Sequence, residues 1–133
     1  MTIFKLVLTK NIEKSVTFEF SDTFENVYEI EYRIKGKKSE LLWYINIDNQ
    51  LYVNKLSNSY EAIKIFKTVL ASIEEFINIR SEIKEITFEG VAKEREKEYL
   101  TQRSKFYAWY LKRHPLENWK LENHINKFKL IKI

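Results

Sequence analysis

"YEIEYRIKGKKSELLWYINIDNQLYVNKL", residues Tyr28 to Leu56, decides the fold. Tyr28, Ile30, Tyr32 and Ile34 alternate with Glu29, Glu31, Arg33 and Lys35, so one face of a strand is apolar and the other charged. Gly36 supplies a positive φ for a tight turn over Lys35–Lys38 into a second strand, Leu41 to Ile47. Asp48 and Asn49 turn the chain again into a third, Leu51 to Lys55. Three strands joined by such short turns form an antiparallel meander.

Upstream, Ile3 to Leu8 and Val16 to Phe20 repeat the period of two and predict a first hairpin, with Phe4, Leu6 and Leu8 on one face and Val16, Phe18 and Phe20 on another. "SDTFENV" connects that hairpin to the meander. Downstream, "SNS" can cap a helix, and the period changes to 3.6. Ile63, Phe66, Val69, Leu70, Ile73, Phe76 and Ile77 then mark one stripe of a helix ending near Arg80. Lys84 to Glu89 reads as a short strand, and a second helix is expected from about Lys93 to Arg113, stopped by Pro115. "NWKLENHINKFKLIKI" closes the chain as one long strand or a hairpin. The expectation is one α+β domain spanning 1–133, a mixed, mostly antiparallel sheet with two packed helices. A right-handed crossover would set Lys84–Glu89 parallel to Leu51–Lys55.

Composition narrows the chemistry. There is no cysteine, which excludes a disulfide framework, a thiol nucleophile and thiolate metal sites. Only Gly36 and Gly90 are glycines, so the clustered glycines of a phosphate-cradling loop are absent. His114 and His124 have neither cysteine neighbours nor helical spacing, and no metal site is expected. "MTIFKLVLTK" is broken by Lys5 and reads as a strand rather than a leader; with no membrane-length apolar run, a soluble cytoplasmic protein is expected.

The net charge of +4 is unevenly placed. Between Thr101 and Ile133 eight basic residues face only Glu117 and Glu122, a balance of +6, which leaves −2 on the first hundred residues. Such a basic third suits an acidic protein or nucleic acid, or serves as a solvated face.

The segment "ITFEGVAKEREKEY", Ile86 to Tyr99, with Arg95 followed four residues later by Tyr99, resembles a pattern of small bacteriophage proteins of the GNAT N-acetyltransferase-like class. The order of elements from Tyr28 to the C-terminus is similar to that superfamily without its leading helices. The Lys-, Ile- and Asn-rich, Ala-poor composition fits a low-GC phage or bacterium, and host cytoplasm if phage-encoded. The resemblance implies that Tyr99 stands where family members often place a general acid for the coenzyme A thiolate. It also implies a glycine-rich pyrophosphate turn before the first long helix. "YVNKLSNSYEA" occupies that place with no glycine, so no cofactor is expected.

Arg103 falls at the centre of an aromatic stripe made by Tyr99, Leu100, Phe106, Tyr107, Tyr110 and Leu111. A buried guanidinium needs a carboxylate, carbonyls or a ring face, and Glu96 is the nearest acid on the helix. Alternatively, Arg103 and the tyrosine hydroxyls line an anion pocket. The acids Glu94, Glu96 and Glu98 fit the first turn of that helix. Trp109, Lys105, Lys112, Arg113, Trp119 and Lys120 gather rings and cations near the C-terminus, the combination that holds single-stranded nucleic acid or anchors a protein interface. The leading expectation is a non-enzymatic protein that binds another macromolecule through Arg95, Tyr99, Arg103, Lys105, Trp109, Lys112, Arg113 and Trp119. A protein partner leads and nucleic acid is possible. An N-acyltransferase using acetyl coenzyme A is the alternative, and oligomeric state stays open.

Overall fold

The computed structural model describes residues 3–56, 61–91 and 99–133. Eight strands and two helices are found there: β1 (Val7–Ile12), β2 (Ser15–Ser21), β3 (Val27–Lys35), β4 (Lys38–Ile47), β5 (Gln50–Val53), α1 (Ala62–Ile79), β6 (Glu85–Glu89), α2 (Gln102–Arg113), β7 (Trp119–His124) and β8 (Lys127–Lys132). They build one α+β sheet in the order β1-β2-β3-β4-β6-β8-β7, with β5 attached to β4. Every pairing is antiparallel except β4 with β6.

The alternation in β3 sorts the two faces of the sheet. Tyr28, Ile30 and Tyr32 are completely buried, and across the sheet Phe18, Trp43, Phe88 and Phe128 join the same core. Both helices cover this face. Phe76 of α1 stacks on Tyr32 at 4.0 Å between ring centroids, Phe66 meets Trp43 and Tyr107 edge-on, and Tyr107 of α2 meets Phe88 and Phe128. The Tyr32 hydroxyl is bonded to Ser72 Oγ at 2.7 Å, which satisfies its one buried polar atom. Neither α1 nor α2 covers the opposite face, which carries Glu19, Glu29, Glu31, Arg33 and Glu40. Among the described residues the molecule therefore has a helix layer and a bare sheet face.

Turn chemistry explains the meander. Gly36 has φ 62°, Asp48 and Asn49 have φ 52° and 66°, the primed-turn geometry that matches strand twist. The closing segment is a hairpin rather than one long strand.

Four expectations need correction. The first strand lies at Val7–Ile12 instead of Ile3–Leu8, because Phe4 turns into the core and its N–H donates to Thr68 Oγ1 of α1, while Leu8 is exposed. The parallel partner of β6 is β4, through Lys38–Glu40 and Glu85–Thr87, since the short β5 occupies only the Tyr44–Ile47 end of that edge. On α1 the buried stripe runs through Ile65 and leaves Ile63 exposed; "SNS" lies outside the described residues, and Glu61 precedes the helix. The second helix begins at Gln102. Thr101, in extended backbone, caps it by accepting from Ser104 N, so Tyr99 and Leu100 precede the helix and do not extend its stripe. The expected start at Lys93 and the acids Glu94, Glu96 and Glu98 lie outside the described residues.

Gly90 explains why that cap forms here. Its carbonyl accepts from both Thr101 Oγ1 and Ser104 Oγ, and its N–H donates to Asn126 O. A Cβ at Gly90 would stand 2.9 Å from Ser104 Cα and 3.0 Å from its Cβ. The end of β6 is thus pressed onto the first turn of α2, and Asn126, in the β7–β8 turn, ties both together by accepting from Thr101 N and donating to Tyr99 O.

Candidate functional site: a cleft between strands and the outer face of the second helix

Because β5 and β6 share one edge of β4, a cleft opens between them. Pairing with β6 ends at Glu40↔Thr87 and pairing with β5 begins at Tyr44↔Val53, leaving Leu41–Trp43 between. The cleft encloses about 680 Å³. Trp43, Val69, Phe88, Tyr107 and Phe128 form its apolar floor toward the helix layer, whereas Glu40, Leu42, Thr87, Glu89, Glu122, His124, Lys127 and Lys129 rim its mouth on the bare sheet face. Trp43 Nε1 donates to the Tyr107 hydroxyl at 3.3 Å across the floor. Burial pushes the Tyr107 pKa up, and the Arg103 cation partly opposes that rise.

Asn54 closes the wide end of the cleft. With φ 54°, it ends β5, donates its N–H to Trp43 O at 2.8 Å, and donates its side-chain amide to Val91 O at 3.0 Å beyond β6. Arg103 reaches this point from α2. Its Nη1 donates to Asn54 O at 2.7 Å, and its guanidinium lies 5.1 Å from the Trp43 ring and 4.9 Å from the Phe66 ring. The half-buried arginine thus has a carbonyl and two ring faces as partners, and it fastens α2 to both α1 and the sheet.

The outer face of α2 is built differently. Ser104, Tyr107, Tyr110 and Leu111 are buried, while Gln102, Lys105, Trp109, Lys112 and Arg113 are exposed. No residue of this helix is acidic. Trp109 is 46% exposed, and the Arg113 guanidinium stacks 5.0 Å from its ring. Phe106 supports the indole from the inner side at 5.7 Å. Lys112 and Arg113 also lie in the last turn, where cations favour the helix dipole.

Of the sequence-predicted residues, Lys105, Trp109, Lys112 and Arg113 share this solvent face. Arg103 points inward, and Tyr99 is 56% exposed ahead of the helix and does not line the cleft. Trp119 is half-buried on β7 and packs against the core, and Arg95 lies outside the described residues. His114 stacks on Tyr110 at 4.3 Å, while His124 is at the cleft rim. Among the described residues no group of three acid or histidine side chains is placed to hold a metal ion, and no helix is long and apolar enough to cross a membrane. Sequence reading missed the cleft and Asn54, since two strands competing for one edge leave no periodic signal. Comparison with protein-family models, curated proteins and solved structures finds no match to this chain.

Proposed function

We propose that this protein is a non-enzymatic binding protein, built on a degenerate acetyltransferase-like scaffold, whose outer α2 face docks another macromolecule, a protein above all. The carrying observation is the composition of that face: a half-exposed tryptophan stacked by Arg113, flanked by Lys105 and Lys112, with no carboxylate on the helix. Trp and Arg dominate binding hot spots because they bring large contact area and several hydrogen-bond donors to one place. The scaffold reading is supported by the sequence of strands, helix, parallel strand, helix and terminal hairpin.

The test is capture from the native host with the wild-type chain, Trp109→Ala, Lys112→Glu/Arg113→Glu and a remote control, Lys10→Glu on β1. The specific partner should be lost from both α2 variants and kept by the control. Equal capture by all four rejects the assignment. Oligonucleotide binding that falls steeply with salt and with the α2 reversals would instead assign the face to nucleic acid.

The cleft favours a second reading, an N-acyltransferase using acetyl coenzyme A. Its volume and aromatic floor lie in the range of small-ligand sites. Against it, Tyr99 is set apart from the cleft. Acetyl coenzyme A raising the melting temperature by several degrees would support a coenzyme site by linkage and so favour the acyltransferase reading; an unchanged value counts against it.

A further inference from the structure

The bare face of the sheet holds a surface complementary to α2. Leu42, Tyr44, Leu51 and Val53 lie together on it: Tyr44 pairs with Val53, and Leu51 with Asn46 on the same side. Leu51 and Val53 are about half exposed, at 49% and 48%. Glu29 pairs with Tyr44, Glu31 with Leu42, and Glu19 with Glu29, so carboxylates border these apolar side chains. Glu40 continues the border along β4. Arg33 is engaged by Glu31 at 2.9 Å and also donates to the Tyr44 hydroxyl. Glu19 and Glu29 face each other directly across the strands, and neither makes an ion pair or a side-chain hydrogen bond among the described residues. Like charges so placed work against the sheet. A cation arriving from outside would relieve them. Beside this acidic, apolar patch opens the mouth of the cleft, shared through Leu42 and Val53.

We propose that the chain associates with itself head to tail: the basic outer face of α2 in one copy docks on the acidic bare sheet face of the next, with Trp109 seated at the cleft mouth. This deepens the reading of α2 as a docking surface and rests on it, naming a second copy as the partner. Three complementarities carry it. Lys105, Lys112 and Arg113 meet Glu19, Glu29 and Glu40. The half-exposed indole meets Leu42, Val53 and the aromatic-floored cleft. The far rim sets Lys127 opposite Glu89 and Lys129 opposite Glu122, so its charges balance and the net negative charge that attracts the helix lies over β2–β4. The two surfaces lie on opposite layers of one molecule, so the contact is heterologous. A pair leaves one face of each kind open, and growth continues into a filament or closes into a ring.

Sedimentation velocity on the full chain tests this with Glu19→Lys/Glu29→Lys and Lys112→Glu/Arg113→Glu, circular dichroism confirming that each is folded. At low salt the wild-type average mass should rise with concentration, and added salt should reverse it. Each reversal alone should lower association by roughly tenfold or more. Mixed in equal amounts, the two variants should recover association that each lacks alone, because the unaltered α2 face meets the unaltered sheet face and the two reversed faces are again opposite in charge. Trp109→Ala, an exposed change that spares folding, should also weaken wild-type association. A wild-type chain that stays monomeric at every concentration overturns the proposal while leaving α2 as a docking surface for a different partner, judged by host capture. Association that persists unaltered in the reversals and in Trp109→Ala belongs to other surfaces and overturns it too.

Discussion

Arg103→Ala removes the link between α2, the end of β5 and two core rings. The hydrogen bond from the guanidinium to Asn54 O is charge-assisted, a class worth about 1.5–3 kcal/mol. Stacking on Trp43 and Phe66 adds about 0.5–1 kcal/mol for each ring at partly exposed sites. The side chain is half-buried, so the lower ends of these ranges apply, and the sum is about 2–3 kcal/mol of stability. Urea unfolding at neutral pH reads this as a lower midpoint with an unchanged slope. Arg103→Lys keeps the charge but loses the flat stacking surface, and should lose about half as much. An ammonium can still donate to Asn54 O but cannot lie flat on both rings, so the order of stability is Arg, Lys, Ala. A loss below about 0.5 kcal/mol for Arg103→Ala, the ordinary scatter of surface changes, refutes the clasp.

Three further outcomes follow from the same structure. Gly90→Ala should cost about 1–3 kcal/mol by thermal or urea unfolding, because the added methyl meets the Ser104 backbone of α2; unaltered stability would contradict the close packing. Thr101→Ala should lose about 1 kcal/mol, since it strips the N-cap from α2 and one donor from the Gly90 carbonyl, and circular dichroism should show a frayed second helix. Burial holds the Tyr32 hydroxyl far above the usual phenol range, opposed in part by its bond to Ser72, and burial with the Glu31 carboxylate pushes Tyr44 up to about 12. A raised phenol pKa gives stability that is intact below about pH 10 and is lost as pH climbs toward the folded value, because the unfolded chain releases the proton first. Tyr32→Phe should therefore flatten the alkaline decline by up to about 1.4 kcal/mol per pH unit above pH 10, and identical slopes would refute the assignment.

The meander was legible because each of its strands is amphipathic and its turns carry Gly36 or Asp48–Asn49, residues suited to positive φ. The partner of β6 was not, since pairing depends on which edge the short β5 leaves free, a question of length in three dimensions rather than of period. The start of α2 was misplaced because charged residues before Thr101 have good helix propensity, while the tertiary knot of Gly90, Thr101, Ser104 and Asn126 sets the boundary. At the site, the solvent face of Lys105, Trp109, Lys112 and Arg113 follows directly from helical spacing. Its acidic counterpart on β2–β4 needed the register, because Glu19 and Glu29 become neighbours only through strand pairing.

Photo-crosslinking from position 109 tests the docking surface most directly. With Trp109 replaced by benzoylphenylalanine and the chain irradiated in its native host, the account predicts a discrete macromolecular adduct, absent when the same probe replaces Ile12 on the edge strand β1. Irradiation that yields no adduct from position 109, or the same adducts from both positions, contradicts it.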